Sequence, residues 1–410
     1  MGGKASIYMV LGFSLIFLVA GMNYGRLTGS AVDNNVDYYK NTVAHNIAVT
    51  GANMAANEIF MDKNWNAGFS NLPFSGGSIN VTIEDAGQQK KRINASGTFQ
   101  GVTKNVMILL QPSGFSKYAY YTNIFPGNTF LATGDTITGP FHTQGKLNVL
   151  GSPVFQGKAS AKNGLKLISN ATPKFYGGFQ SGVDVPLNWS TSDTKAAAQA
   201  GGYVFNAGGA GKVDVKLTFN SDATVTYKKR YDFGSWSSDT TVALSSFAPN
   251  GVIYVEKGNL YLKGVVSGRY TVIADQSSGM GTGNVYIEDD IRYKNNPLTH
   301  PSSTDMLGII SSNNVLISDN SDNRQNVNID ATIFAYKGGL GLVNTSMPYS
   351  GTLKVFGGVI EYQARTTGVY SGGTIINGYR ERIIFDERLM LNSPPYFPST
   401  DKYEVVSWLE

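Results

Sequence analysis

One long uninterrupted run of apolar residues stands at the start of the chain, and polar and apolar positions alternate in shorter rhythms after it. Positions 5–25, ASIYMVLGFSLIFLVAGMNYG, carry no charge. At about 1.5 Å per residue such a run makes about 30 Å of helix, the thickness of a bilayer core. Beyond it Val36, Tyr39, Val43, Ile47, Thr50, Met54 and Ile59 recur every three or four residues, which predicts that the helix continues to about Phe60. Small residues are dense there, and Gly51 with Ala55 forms a small-xxx-small pair that lets another helix or a sheet approach closely. Lys4 and the amino terminus precede the span and Arg26 follows it, a slight bias that keeps the N-terminus cytoplasmic and exports the rest. The competing reading, a cleaved secretory signal, lacks a small-residue cleavage site after a short apolar core.

The rhythm then changes from helical to strand-like. Residues 76–111, GGSINVTIEDAGQQKKRINASGTFQGVTKNVMILLQ, alternate over three strands. After Pro112 short strands are punctuated by single Gly and Asn residues, as in TGDTITGPFHTQGKLNVLGSPVFQGKASAKNGLKLISN, and the same texture returns from 250 to 363. Such strands cannot bury a face alone, whereas stacked successive coils bury a continuous column. The expected fold is mainly β: a long N-terminal helix, a small β-meander and a parallel β-helix (β-solenoid). A β-sandwich, the competing architecture, needs more regular hairpins. Two interruptions are expected, a short helix within 186–202 and a hairpin over 213–231 turning near Asn220 to Asp222. The tail from 379 ends in prolines and aromatics suited to capping the last coil, since an uncovered solenoid end invites edge pairing. The expected divisions are 1–62 for the membrane and assembly helix, 63–112 for the meander, and 113–250 and 251–410 for two parts of the solenoid.

Composition sharpens this picture. The 410 residues include 48 glycines and only 15% charged residues, with no cysteine. Disulfides, thiolate catalysis and cysteine-based zinc sites are therefore excluded. A net charge of +4 is small for this length, and no basic run has interleaved aromatics, so nucleic acid is not expected as a partner.

The segments GGKASIYMVLGFSLIFLVAGMNYG and KNTVAHNIAVTGANMAANEIF, with the three strands after them, resemble the type IV pilin-like proteins, especially the PilX-like branch. The resemblance covers about the first 112 residues. It implies a processed leader, here only residues 1–3 with the basic residue after the glycines, and an inner-membrane precursor that passes into a surface filament. Pilins usually carry a glutamate among the early apolar residues, and this chain has none there. The outer region, through GPFHTQGKLNVLGSPVFQG, NGVIYVEKGNLYLKG, YIEDDIRY, TDMLGII and FDERLMLNSPPYFPSTDKYEVVSW, resembles uncharacterised prepilin-like β-solenoid proteins of bacterial envelopes. That likeness implies architecture and location and no activity.

Candidate chemistry is sparse. His142, beside Pro and Thr, reads as a packed or hydrogen-bonded turn residue before it reads as a catalyst. Glu288, Asp289 and Asp290 are the densest acidic group; on a strand Glu288 and Asp290 share a side and Asp289 does not. A solvated turn is the simpler reading there than calcium binding or polysaccharide chemistry. The loop 318–326, with Asp319 and Asp322, lacks the ordered spacing and glycine of a calcium loop. GMGTG at 279–283 has no phosphate-loop lysine. Sequons at Asn80, Asn94, Asn170, Asn188 and Asn344 mark candidate glycosylation sites. No catalytic residue, cofactor or metal is expected. The expected role is a structural subunit that self-assembles into a helical homo-oligomeric filament, with Ile7, Leu11, Phe13, Leu15, Phe17, Leu18 and Gly21, and also Gly51 and Ala55, at the assembly interface. The alternative is a minor pilin or membrane-anchored adhesin whose β-helix binds surface polysaccharide; a polysaccharide-degrading enzyme is the least favoured.

Overall fold

The computed structural model describes residues 2–87, 90–188, 190–276, 282–371 and 374–410. The chain forms two compact units, one of Met1–Pro112 with Lys402–Glu410 and the other of Ser113–Asp401. The 279–281 part of the GMGTG segment lies outside the described residues.

In the first unit α1 runs unbroken through Gly2–Met61. It ends where the chain turns at Asp62, whose side chain accepts from the Asn64 N–H at 2.9 Å. Strands β1 (Phe69–Phe74), β2 (Gly77–Asp85), β3 (Lys91–Phe99) and β4 (Val102–Gly114) form an antiparallel meander. The terminal strand Ser399–Leu409 joins this sheet beside β4. The expected three strands are thus five. The tail does not serve as a solenoid cap throughout, because its last residues complete the edge of the first sheet. Alternation in INVT and RINASG puts Ile79, Val81, Ile93 and Ala95 on one sheet face, and β4 adds Val106, Ile108 and Leu110. These cover Ala44, Ile47, Ala48, Ala52, Ala55 and Ile59 of α1, spaced three and four apart.

The second unit is a parallel β-helix with three faces. One face carries, in spatial order, Tyr203–Phe205, Val252–Val255, Arg269–Ala274, Met306–Ser311, the later part of Val327–Ala335, the later part of Gly351–Gln363, Tyr120–Ile124, Phe141–Thr143, Ala159–Ala161 and Phe179–Ser181. Coils do not therefore stack in chain order throughout. The chain enters at mid-column, winds to one end, crosses over through residues 182–202, and winds back to the middle from the other end. On a second face the parallel strand Thr374–Phe385 is the exit coil, lying between Gly351–Gly357 and the entry residues Thr136–Ile137. Start and finish of the unit are consequently neighbours: the Phe115 N–H donates to the Pro398 carbonyl at 3.1 Å, and the Thr400 hydroxyl donates to the Ser113 carbonyl at 2.9 Å.

Single residues make the corners. Gly357 divides a 13-residue strand between two faces with φ of +143°, and a Cβ there would lie 2.2 Å from the Ala331 carbonyl oxygen. At another corner Asn284 N–H donates to the Asn259 side-chain oxygen at 3.0 Å and Asn314 N–H to that of Asn284 at 3.2 Å. The ladder starts at buried Asp214, which accepts from the Asn259 N–H at 3.3 Å and is neutralised by Lys212 and Arg230, each at 3.0 Å. Inside, the three faces share one continuous apolar core. Outside the first face a second apolar stripe, Tyr254, Ile273, Ile310, Phe334, Ile360 and Tyr121, is covered by α2 (Ser192–Gly201), by Val185 and Leu187 of the crossover, and by Phe397 of the tail. The expected hairpin is present as Val213–Phe219 paired with Thr224–Tyr231.

Candidate functional site

The two halves of α1 differ in what covers them. From Ala44 to Ile59 its inner stripe is sealed by its own sheet. Contact is close because the facing residues are small: a Cβ on Gly97 would fall 2.3 Å from the Ala44 carbonyl oxygen, and one on Gly51 would meet the Ile79 side chain at 2.5 Å. Ala55 is fully buried in the same layer. Gly51 and Ala55 are therefore packed within the chain's own fold. Their small-residue pattern answers the approach of β2 and β3 within the chain, one of the two contacts such a pattern permits.

The first half of α1 has the opposite character. Ile7, Leu11, Phe13, Leu15, Phe17 and Leu18 are all exposed, from 52% for Phe13 to 72% for Phe17, and a Cβ on Gly21 would meet no atom within 4 Å. Apolar exposure continues through Leu27, Val32, Val36 and Tyr39. Among the described residues this is the one helix long and apolar enough to cross a membrane. Just beyond the span two hydroxyls bond back to the helix, Thr28 to the Tyr24 carbonyl at 2.8 Å and Thr42 to that of Tyr38 at 2.9 Å. The helix thus presents an apolar surface that suits either lipid or other helices. Left in water, each large side chain on this surface would cost about 1.5–3 kcal/mol relative to burial.

The sequons occupy two environments. Asn80 lies opposite Ser96 and Asn94 opposite Thr82, so two sequons meet across β2 and β3, half-buried on strands. Asn170, Asn188 and Asn344 are exposed outside strands; Asn344 donates to Asp319 at 3.0 Å. Asp319 is held below the ordinary carboxylate range by that bond and by Arg324. His142 is fully buried in the outer stripe of the first face, its Nδ1 2.9 Å from the Ser160 hydroxyl, and burial lowers its pKa. Glu288 accepts from the Ser318 hydroxyl at 2.8 Å, and Asp290 pairs with Arg292 at 2.7 Å and accepts from the Asn328 N–H at 2.7 Å. Each acid of the 288–290 group has its own local partner, Asp289 accepting from the Asp290 N–H at 2.7 Å. The group does not converge on one point. Among the described residues no set of three or more His, Asp or Glu is placed to hold a metal ion.

Sequence reasoning missed one feature, an acidic cavity of about 60 Å³ where the entry coil meets the exit coil, lined by Tyr120, Asp135, Arg365, Tyr370 and Glu381 among others. Burial, against the Ala132 N–H that Asp135 accepts at 2.7 Å, pushes Asp135 up to about 7. Burial and the charge of Asp135 push Glu381 up to about 8. Beside them Glu361 is fully buried, accepts from the Tyr120 hydroxyl and from the Leu340 N–H at 2.9 Å, and is raised well above its usual range by burial. A signal existed for Glu361 alone: in GGVIEYQ it stands where alternation from Val359 calls for an inward apolar side chain. Asp135 and Glu381 are brought together only by the meeting of coils from opposite ends of the unit.

No protein-family model matches the chain, and neither does any curated protein. Among solved structures the chain is similar to the competence-associated pilin ComZ from Thermus thermophilus, with 12% sequence identity and a TM-score of 0.33, over 84% of this chain and 86% of that one.

Proposed function

We propose that this protein is a structural subunit of a bacterial surface filament, held in the inner membrane by α1 before assembly and packed α1 against α1 afterwards. The observation that carries the reading is the division of one helix into a self-covered half and a bare apolar half. Folding within the chain uses up Ala44 to Ile59 and leaves Ile7 to Gly21 for another environment. Lipid supplies that environment to a single chain. A bundle of identical helices supplies it outside lipid, so burial of these side chains drives assembly. The solenoid then stands outside the bundle as the exposed body of the filament.

The chain contains no cysteine, so single introduced thiols are unambiguous probes. Treated with a mild oxidant, single variants Leu11→Cys and Phe17→Cys should each give disulfide-linked dimers in intact envelopes, whereas Ala52→Cys, sealed under the sheet, should give none. Monomers throughout at positions 11 and 17, together with absence of the chain from sheared surface material, would overturn the proposal.

A further inference from the structure

The two ends of the solenoid are finished differently. One is closed by the hairpin of Val213–Phe219 and Thr224–Tyr231, the strand Thr240–Ala243 and the turn Leu244–Phe247, with Phe247 stacked on Tyr203 at 3.9 Å. At the other end Leu165–Ile168, Lys174–Phe175 and Phe179–Ser181 each have a parallel neighbour on one side. Among the described residues no strand pairs with their outer edges. This bare end is also basic. Between positions 136 and 183 there are five lysines, Lys146, Lys158, Lys162, Lys166 and Lys174, and no aspartate or glutamate. All five are exposed, and among the described residues only Lys162 has an ion-pair partner, Asp184 at 2.9 Å. Lys166 and Lys174 lie on edge strands of two different faces, and Lys158 and Lys162 flank Ala159–Ala161 on the remaining face, one coil behind the edge. Tyr176, 72% exposed, stands among them.

Lysines on a strand edge repel a second copy of the same edge, so this collar opposes end-to-end stacking of two identical solenoids. The same charges complement an acidic partner. Unpaired backbone selects among acidic partners, because an added strand offers N–H and C=O groups at the spacing of the edge, while a polysaccharide or nucleic acid does not. We propose that the free end of the solenoid is a docking edge for an extended, acidic segment of another protein, which adds as a further strand. This is independent of the filament reading, since it concerns neither α1 nor its packing.

The test uses the full chain in detergent micelles, with poly-L-glutamate as the probe and hyaluronate and duplex DNA as comparison polyanions. Poly-L-glutamate should bind in a salt-dependent manner and slow amide hydrogen exchange across residues 165–181. The variant K146E/K158E/K166E/K174E should bind it at least about tenfold more weakly with unchanged thermal midpoint. The set with glutamine at the same four positions should lose less, and carries the same comparison if the reversed variant does not fold. Undiminished binding by both variants, no added protection at 165–181, or equal affinity for hyaluronate or DNA would each overturn the proposal.

Discussion

Three residues decide more than their size suggests. Gly97 is the point where sheet and helix backbones approach closest, and Gly97→Ala must push a methyl group against the Ala44 carbonyl and the Ala48 amide, both 2.3 Å from the added carbon. Backbone cannot step aside as a flexible side chain can. The first unit should lose about 2–4 kcal/mol, read as a lower denaturant midpoint, while exchange protection in the solenoid stays unchanged. Asp135 and Glu381 give the solenoid a pH dependence of definite sign. Their folded pKa values, about 7 and about 8, lie above the ordinary carboxylate range expected of the unfolded chain. The folded state therefore holds more protons between about pH 4 and pH 8, and stability falls as pH rises through that window. The thermal midpoint should drop by on the order of 5 °C between pH 5 and pH 9, and the triple variant Asp135→Asn, Glu361→Gln and Glu381→Gln should remove most of that slope, since burial raises the neighbouring Glu361 in the same direction. A midpoint that rises with pH, or an equal slope in the variant, would refute this assignment.

At the scale of elements, legibility followed the range of the forces involved. The helix end near Phe60, three of the four strands of the meander, the short helix within 186–202 and the hairpin turning at Asn220 are set by periodicity and turn chemistry within a few residues and were readable, whereas Phe69–Phe74, without clear alternation, was not. Of the positions whose spacing marked the continuing helix, Ile47 and Ile59 are buried while Val43, Thr50 and Met54 stay half-buried beside them. The small-residue face marked by Gly51 and Ala55 is the one the sheet covers, together with Ala44 and Ala48. The terminal strand was not assigned to the first sheet, because its partner β4 lies almost the length of the chain away and nothing local records such a pairing. Corner asparagines were visible as punctuation, and the structure shows them acting as a relay. Asn284 accepts from the Asn314 N–H while donating its own N–H to Asn259, so Asn284→Ala leaves the half-buried Asn314 donor without this acceptor. The cost should be about 1–3 kcal/mol, with the faster amide exchange centred on residues 284 and 314.

For the whole molecule the governing feature is that the solenoid unit starts and finishes at the same place. With the Thr400 hydroxyl bonded to the Ser113 carbonyl at 2.9 Å, the two points where the chain passes between units are neighbours, and the solenoid is an insertion between the fourth and fifth strands of the first sheet. Replacing residues 113–401 by a turn of a few residues should leave a folded first unit, judged by retained exchange protection of β3 and of the terminal strand. An unfolded product would refute the insertion account. The same topology orders events in time. Strand Tyr120–Ile124 is made early, but its neighbour at 359–363 comes only when most of the chain has followed. A polypeptide emerging from its N-terminus thus carries half a column with an open seam for nearly the whole of its synthesis. Closure is a late, long-range step, and the interval before it is when proteases and stray strands have their best access to this protein.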